Sequence, residues 1–368
     1  MKKKDYTNLK IIFIVILGVI LLINVIFLTG LNKTIKEKIT EQKEVARPAN
    51  IEIVAIKDLQ CTDCYDPIDI INFVISKNYN VTKQEILDED SDRAKEIINK
   101  YDIKNIPIVL ILGEIDKVKD LEGFDKVNDA LIQSNIIPPF KDLTTNEVKG
   151  LVSLIYLNVS CDKCSSLTNL IDQLKTLKVK LIKEEYINSE SETGLNLIAK
   201  YSITKVPAII LSRDIEVYDI VKSAWENLGT VEDDGSYITR SNNPPYLDIT
   251  EKKVKGLVTL TLLDDKSCTE CYNVSLHKLV LDRFNMYIED ERMVDITDSE
   301  GKYLINKYSI TQVPTIILSG EVSEYTALTN IWDQVGTVEE DGSYVFRKLE
   351  VMGTYKDLTA DKVVVIQG

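Results

Sequence analysis

The sequence predicts an α/β protein: three tandem repeats of alternating strands and helices, placed after an N-terminal transmembrane helix. Three observations carry this. All six cysteines of the 368 residues fall in Cys-x-x-Cys pairs, Cys61/Cys64, Cys161/Cys164 and Cys268/Cys271. The first cysteine of each pair precedes an Ile-Pro or Val-Pro proline by 46 residues: Cys61 to Pro107, Cys161 to Pro207, Cys268 to Pro314. Around these markers the order β-α-β-α-Pro-β recurs, an alternation that argues for layered α/β domains.

Ile11 to Leu28 is apolar apart from Gly18 and Asn24. Extended to Leu31, it makes a helix about 31 Å long, enough to cross a hydrocarbon core of about 30 Å. A cleaved signal peptide has an apolar core of about 7–15 residues and a small-x-small site. Phe27-Leu-Thr-Gly-Leu31 is a poor cleavage site. Residues 1–10 are therefore read as a cytoplasmic tail and 11–31 as an uncleaved single-pass anchor. Lys2, Lys3, Lys4 and Lys10 before the run favour an inside N-terminus, but Lys33, Lys36, Lys38, Lys43 and Arg47 follow it, so basic counts alone do not set its orientation. The short tail, and cysteine usage suited to an oxidising compartment, place the domains outside the cytoplasm. Residues 32–48 read as a polar helical stalk, with Lys33 and Glu37 four apart and Pro48 ending it.

The repeats are expected at 49–137, 138–243 and 244–368. Each opens on a strand: Ile51-Glu-Ile-Val-Ala-Ile56, Leu151-Val-Ser-Leu-Ile-Tyr-Leu157, Leu257-Val-Thr-Leu-Thr-Leu-Leu263. Helical spacing follows the cysteines, as in Leu167, Leu170, Ile171 and Leu174. A second strand and helix lead into Tyr101-Asp-Ile-Lys-Asn-Ile-Pro107, Tyr201-Ser-Ile-Thr-Lys-Val-Pro207 and Tyr308-Ser-Ile-Thr-Gln-Val-Pro314, each followed by a buried strand. Trp225 and Trp332 lie 64 residues after their first cysteines, ahead of Asp234-Gly235 and Asp341-Gly342 hairpin signals. Both are read as core packing. The joints also repeat: Pro138-Pro-Phe-Lys-Asp-Leu-Thr144, Pro244-Pro-Tyr-Leu-Asp-Ile-Thr250, and near the end Gly353-Thr-Tyr-Lys-Asp-Leu-Thr359. Each joint is read as a terminal strand of the preceding domain.

The net charge of −14 argues against nucleic acid, which needs a basic face. No glycine-rich phosphate loop is present. The chemistry lies in the cysteines. A cysteine at a strand-to-helix junction sits at a helix N-terminus, where the macrodipole favours the thiolate. A partner three residues on can resolve a mixed disulfide. The X-Pro bonds can be cis, and a cis turn would leave the preceding backbone free to pair with an extended substrate.

Strand, Cys-x-x-Cys, helix, strand, helix, Tyr-x-Ile-x-x-[Ile/Val]-Pro and strand resemble the thioredoxin fold family three times, over about residues 49–350. The plan is similar to that of disulfide isomerases and periplasmic disulfide oxidoreductases. The resemblance implies nucleophiles Cys61, Cys161 and Cys268, resolving cysteines Cys64, Cys164 and Cys271, and cis-prolines Pro107, Pro207 and Pro314. Ile106, Val206 and Val313 before them would meet substrate. It further implies protein thiol or disulfide substrates, a redox partner protein and no cofactor. The family's tryptophan before the first cysteine is Gln60, Ser160 and Ser267 here, and its buried acid is Ala55, Ile155 and Leu262. Asp63 and Glu270 beside a thiolate raise its pKa, while Lys163 offsets Asp162, so Cys161 is expected to be the most acidic nucleophile.

Two other readings stand beside this one. As static staples the pairs stabilise little: a four-residue loop contributes roughly 2 kcal/mol against about 4.7 for a hundred residues. Inactive pairs on a binding scaffold of the cell envelope are the alternative function. A zinc site is disfavoured, because the pairs are about 100 residues apart and each heads its own helix. His277, the only histidine, is expected at the surface.

Overall fold

The structure is a computed structural model describing residues 18, 27, 36–40, 42, 44, 47–119 and 121–366. Apart from Gly18 and Phe27, the run 11–31 lies outside the described residues. Among the described residues no helix is long and apolar enough to cross a membrane. The chain divides into two compact units, Met1–Glu147 and Val148–Gly368. The first contains one repeat and the second contains two.

In the first repeat, β1 (Asn50–Lys57), α1 (Ile68–Ile75), β2 (Asn80–Asp88) and α2 (Asp92–Tyr101) lead to β3 (Asn105–Ile106) and β4 (Ile108–Gly113). A hairpin of β5 (Phe124–Val127) and β6 (Ala130–Gln133) follows, then β7 (Phe140–Asp142) and β8 (Glu147–Lys149). The main sheet has the order β2-β1-β4-β6-β5. β1 runs parallel to β2 and antiparallel to β4. A central strand between two neighbours is buried on both faces, hence its near-continuous apolar run. Ile51, Ile53 and Ala55 pack with Ile71 and Val74 of α1, while Val54 and Ile56 pack with Ala94, Ile97 and Tyr101 of α2.

The second repeat repeats the plan with β9 (Leu151–Asn158), α3 (Thr168–Thr176), β10 (Lys180–Asn188), α4 (Glu192–Tyr201), β11 (Lys205–Val206) and β12 (Ala208–Leu211). It adds α5 (Asp219–Trp225) before β13 (Gly229–Val231) and β14 (Tyr237–Thr239), and closes with β15 (Tyr246–Asp248) and β16 (Lys253–Lys255). The third has β17 (Val258–Asp264), α6 (Leu276–Asp282), β18 (Ile288–Asp295), α7 (Ser299–Lys307), β19 (Gln312–Val313), β20 (Thr315–Gly320), α8 (Thr326–Trp332), β21 (Gly336–Val338), β22 (Tyr344–Phe346), β23 (Tyr355–Asp357) and β24 (Lys362–Val364). Their main sheets are β10-β9-β12-β14-β13 and β18-β17-β20-β22-β21.

Local chemistry explains the repeated motifs. Ser91 and Ser191 cap the second helices by accepting from Ala94 and Gly194 N–H. Asp102, Ser202 and Ser309, each just after the motif tyrosine, take left-handed backbone, with φ of 53°, 50° and 50°. This lets Ile103, Ile203 and Ile310 donate back to the carbonyls of Ile98, Ile198 and Ile305. The tyrosines reach the hairpin acids Asp129, Asp234 and Asp341 at 3.0, 3.1 and 2.9 Å. Trp225 and Trp332 end their helices, donate to Thr230 and Thr337 carbonyls at 3.1 Å, and stand edge-on to Tyr237 and Tyr344. Gly229 is required there, because a Cβ would sit 1.8 Å from the Ile238 carbonyl oxygen.

The joint segments each contribute a strand to the repeat before them. β7 pairs with β3, β15 with β11 and β23 with β19, all antiparallel. They build the small sheets β3-β7-β8, β11-β15-β16 and β19-β23-β24. The first and second repeats therefore extend about a hairpin beyond the boundaries expected at 137 and 243.

Candidate active sites

All three cysteine pairs are closed disulfides, with Cα atoms 5.4, 5.4 and 5.5 Å apart, and all six cysteines are half-buried. Each lies in the loop after the first strand of its repeat, but not at a helix N-terminus as expected. The helices start at Ile68, Thr168 and Leu276, four or five residues beyond Cys64, Cys164 and Cys271. The intervening loop is drawn into other bonds: Tyr65, Ser165 and Tyr272 N–H donate to the carbonyls of Pro139, Pro245 and Thr354, each at 2.7 Å. A helix dipole acts within about its first turn, so it does not reach Cys61, Cys161 or Cys268.

The Ile106-Pro107, Val206-Pro207 and Val313-Pro314 bonds are cis, and the prolines are buried. The backbone before them is not free. Ile106 pairs with Lys141, Val206 with Leu247 and Val313 with Lys356, and all three pre-proline side chains are 0% exposed. Leu143, Ile249 and Leu358 N–H extend this pairing to the carbonyls of Lys104, Thr204 and Thr311 at 2.7 to 2.8 Å. One strand of the chain itself therefore spans both the cysteine loop and the pre-proline edge in every repeat.

What fastens that strand differs between repeats. Lys141 Nζ donates to Asp58 Oδ2 at 2.9 Å and to Glu89 Oε1, with these side chains only 12%, 17% and 15% exposed. Asp58 follows β1 and accepts the Cys61 N–H with its carbonyl at 3.2 Å. The Lys141 bond holds the Asp58 carboxyl below its ordinary range, and the Glu89 bond raises Lys141. In the third repeat Lys356 Nζ lies 2.9 Å from Asp265 Oδ2. Burial opposes ionisation of Asp265, but bonds from Ser267 and Lys356 prevail and hold it low. The second repeat has Asn158 and Leu247 at these two positions, and the Asn158 Oδ1 has no partner among the described residues. Its strand is held instead by Tyr246, which donates to Glu324 Oε2 of the third repeat at 2.6 Å.

Asp63, Asp162 and Glu270 between the cysteines are exposed. Lys163 bonds Glu289 on β18, so its charge is shared with a carboxylate outside its own loop. His277 is not at the surface as expected: it is 3% exposed on α6, with Nε2 2.9 Å from the Tyr272 hydroxyl and its ring edge-on to Phe346. Burial lowers its pKa to about 4. Its place on the inward face of a short helix explains the difference, since Ile70 and Leu170 hold the matching positions in the other repeats. Among the described residues no group of three or more His, Cys, Asp or Glu side chains could hold a metal ion.

Lys141, Asp58, Glu89, Lys356, Asp265, Tyr246 and Glu324 are the site residues that motif reading passed over. A signal existed: where the lysine of the joint becomes leucine, the aspartate three residues before the first cysteine becomes asparagine.

No protein-family profile matches the chain, and no curated protein does. Solved structures similar to it include a crystal structure of ERdj5 (form II), 14% identical over 74% of this chain, with a TM-score of 0.15. The chain spans only 37% of that protein. Human ERp44 (form I) is 12% identical over 79% of this chain and 81% of its own, TM-score 0.15. A protein disulfide oxidoreductase from Aeropyrum pernix K1 is 16% identical over 46% and 77%, TM-score 0.14. These likenesses are too weak to carry an argument, and the fold rests on strand order. A parallel β-α-β followed by antiparallel strands, with a paired-cysteine loop after the first strand and a proline before the third, gives each repeat a thioredoxin-like fold.

Proposed function

We propose that the chain is a membrane-anchored, extracytoplasmic thiol–disulfide oxidoreductase acting on protein cysteines through three sites. The observation that carries this is the repeated site itself: a half-exposed Cys-x-x-Cys disulfide after the first strand, beside a pre-proline edge built to pair with extended backbone. The apolar run 11–31 supports the anchor, and three cysteine pairs with no odd cysteine support an oxidising compartment.

In the oxidising direction a substrate thiolate attacks Sγ of Cys61, Cys161 or Cys268. A mixed disulfide forms and the second cysteine leaves as a thiolate. A second substrate thiolate then displaces the first cysteine, leaving a substrate disulfide and a reduced pair. Two electrons pass from substrate to protein, and a partner disulfide accepts them to regenerate the site. The reverse steps reduce a substrate disulfide, with Cys64, Cys164 and Cys271 resolving the adduct. No cofactor enters either direction.

The second reading, a non-catalytic binding scaffold, is favoured by the intrachain pairing at the pre-proline edge. Trapping separates the two. Full-length chains carrying Cys64→Ser, Cys164→Ser or Cys271→Ser should each accumulate mixed disulfides, formed when the remaining cysteine thiolate attacks a protein disulfide and displaces one of its sulfurs as a thiolate, and cleaved by dithiothreitol. If no adduct forms in any of them and the wild type does not accelerate insulin reduction, the scaffold reading replaces the enzyme.

A further inference from the structure

We propose that β7, β15 and β23 occupy, from within the chain, the groove that takes an extended thiol-bearing segment, and that three separate fastenings decide when each site opens. This rests on the redox reading for the identity of the displacing partner, but not for the fastenings. The strand covers the groove by the contacts an incoming peptide would need. Its preceding carbonyl takes the N–H of the residue after the second cysteine, and its own backbone pairs with the pre-proline residues. Strand addition uses main-chain bonds of this kind, so occupant and substrate compete for the same donors and acceptors.

The fastenings are charge clips in the outer repeats. Lys141 reaches from β7 beneath its own cysteine loop to Asp58 and Glu89, and Lys356 reaches from β23 to Asp265. Both pairs are mostly out of water, so losing the lysine leaves carboxylates uncompensated and favours the open strand. In the middle repeat the clip residues are Asn158 and Leu247, and the fastening is lent by the third repeat. Tyr246, 3% exposed, gives its hydroxyl hydrogen to Glu324, while Lys205 lies over its ring. The first and third sites are thus released locally, and the second by loosening the contact between the second and third repeats.

Amide hydrogen exchange on the full-length disulfide-bonded chain tests this without any redox step. The reporters are Leu143, Ile249 and Leu358, whose N–H groups bond across each groove. Lys141→Met should speed Leu143 by about tenfold, Lys356→Met should do the same for Leu358, and Tyr246→Phe for Ile249, each without changing the other two. Unchanged slow exchange at Leu110, Ile210 and Ile317 on the central strands shows that a variant has folded. The reverse pair Asn158→Asp with Leu247→Lys should slow Ile249. Exchange that is unaltered at the matching reporter, or raised equally at all three, overturns the proposal.

A second arm adds dithiothreitol, which supplies two electrons and two protons per pair and closes to its cyclic disulfide. Alkylation then reads each pair separately. Faster reduction at the released site alone is expected, and equal rates at released and fastened sites overturn the covering role. If the exchange arm succeeds while no protein adduct is trapped, the fastenings stand and the oxidoreductase reading fails.

Discussion

Tyr272 gives its hydroxyl hydrogen to the Pro314 carbonyl at 2.6 Å, so its oxygen must accept at His277 Nε2. The imidazole therefore carries a proton on Nε2, between a phenol and the Phe346 ring. Protonation would place an unpaired charge in the core, which is why burial takes the pKa down to about 4 against about 6.5 when unfolded. The unfolded chain then binds more protons across that window, so the contribution is complete above pH 6.5 and is lost as pH falls towards 4. The third repeat should lose about 2 kcal/mol between pH 7 and pH 5 through this residue. His277→Leu, which copies the aliphatic residues of the other repeats, should flatten the slope in denaturant titrations. Parallel slopes for wild type and variant would show that His277 does not couple to unfolding.

The second helix of each repeat ends on a left-handed residue that is not glycine, and this is a local defect the element tolerates. Ser202 and Ser309 have φ of 50°, a conformation that disfavours residues with a Cβ. Ser202→Gly and Ser309→Gly should each stabilise by about 0.5–1 kcal/mol, visible as a raised thermal midpoint. A lowered midpoint would mean that the serine side chains contribute more than their backbone costs. The same element shows how much was readable. Tyr, Ile and Pro were legible as a motif, and their roles follow from one turn: the tyrosine clamps the hairpin acid, the isoleucine amide closes the cap, and the proline opens the next strand. The start of the helix after the cysteines was not legible. Periodicity continues through Leu167 and Leu170, whereas bonding of Ser165 to Pro245, 80 residues away, holds the loop open.

Across the whole molecule the three sites share one backbone and differ in charge. Carboxylates sit beneath the outer cysteine loops, at Asp58 and Glu89 and at Asp265, while the middle loop has neutral Asn158. Lys356 balances Asp265 in the third site, whereas the single Lys141 faces both Asp58 and Glu89 in the first, so Cys161 should ionise at a lower pH than Cys61, although Lys163 shares its charge with Glu289. Iodoacetamide labelling of the reduced full-length chain against pH, resolved by peptide, measures this; a higher midpoint for Cys161 than for Cys61 would refute it. The triplicate fold was legible because cysteine, proline and apolar spacing are local signals repeated in register. The covered groove was not, because strand pairing between Val206 and Leu247 leaves no mark on either residue alone. That covering has a quantitative consequence. A tethered strand competes at an effective concentration on the order of millimolar, so a free peptide of ordinary affinity will seldom displace it. Under the proposed redox role, partners would have to gain affinity from a second contact or be confined to the same surface, and encounter frequency, more than thiol reactivity, would then set which proteins are processed.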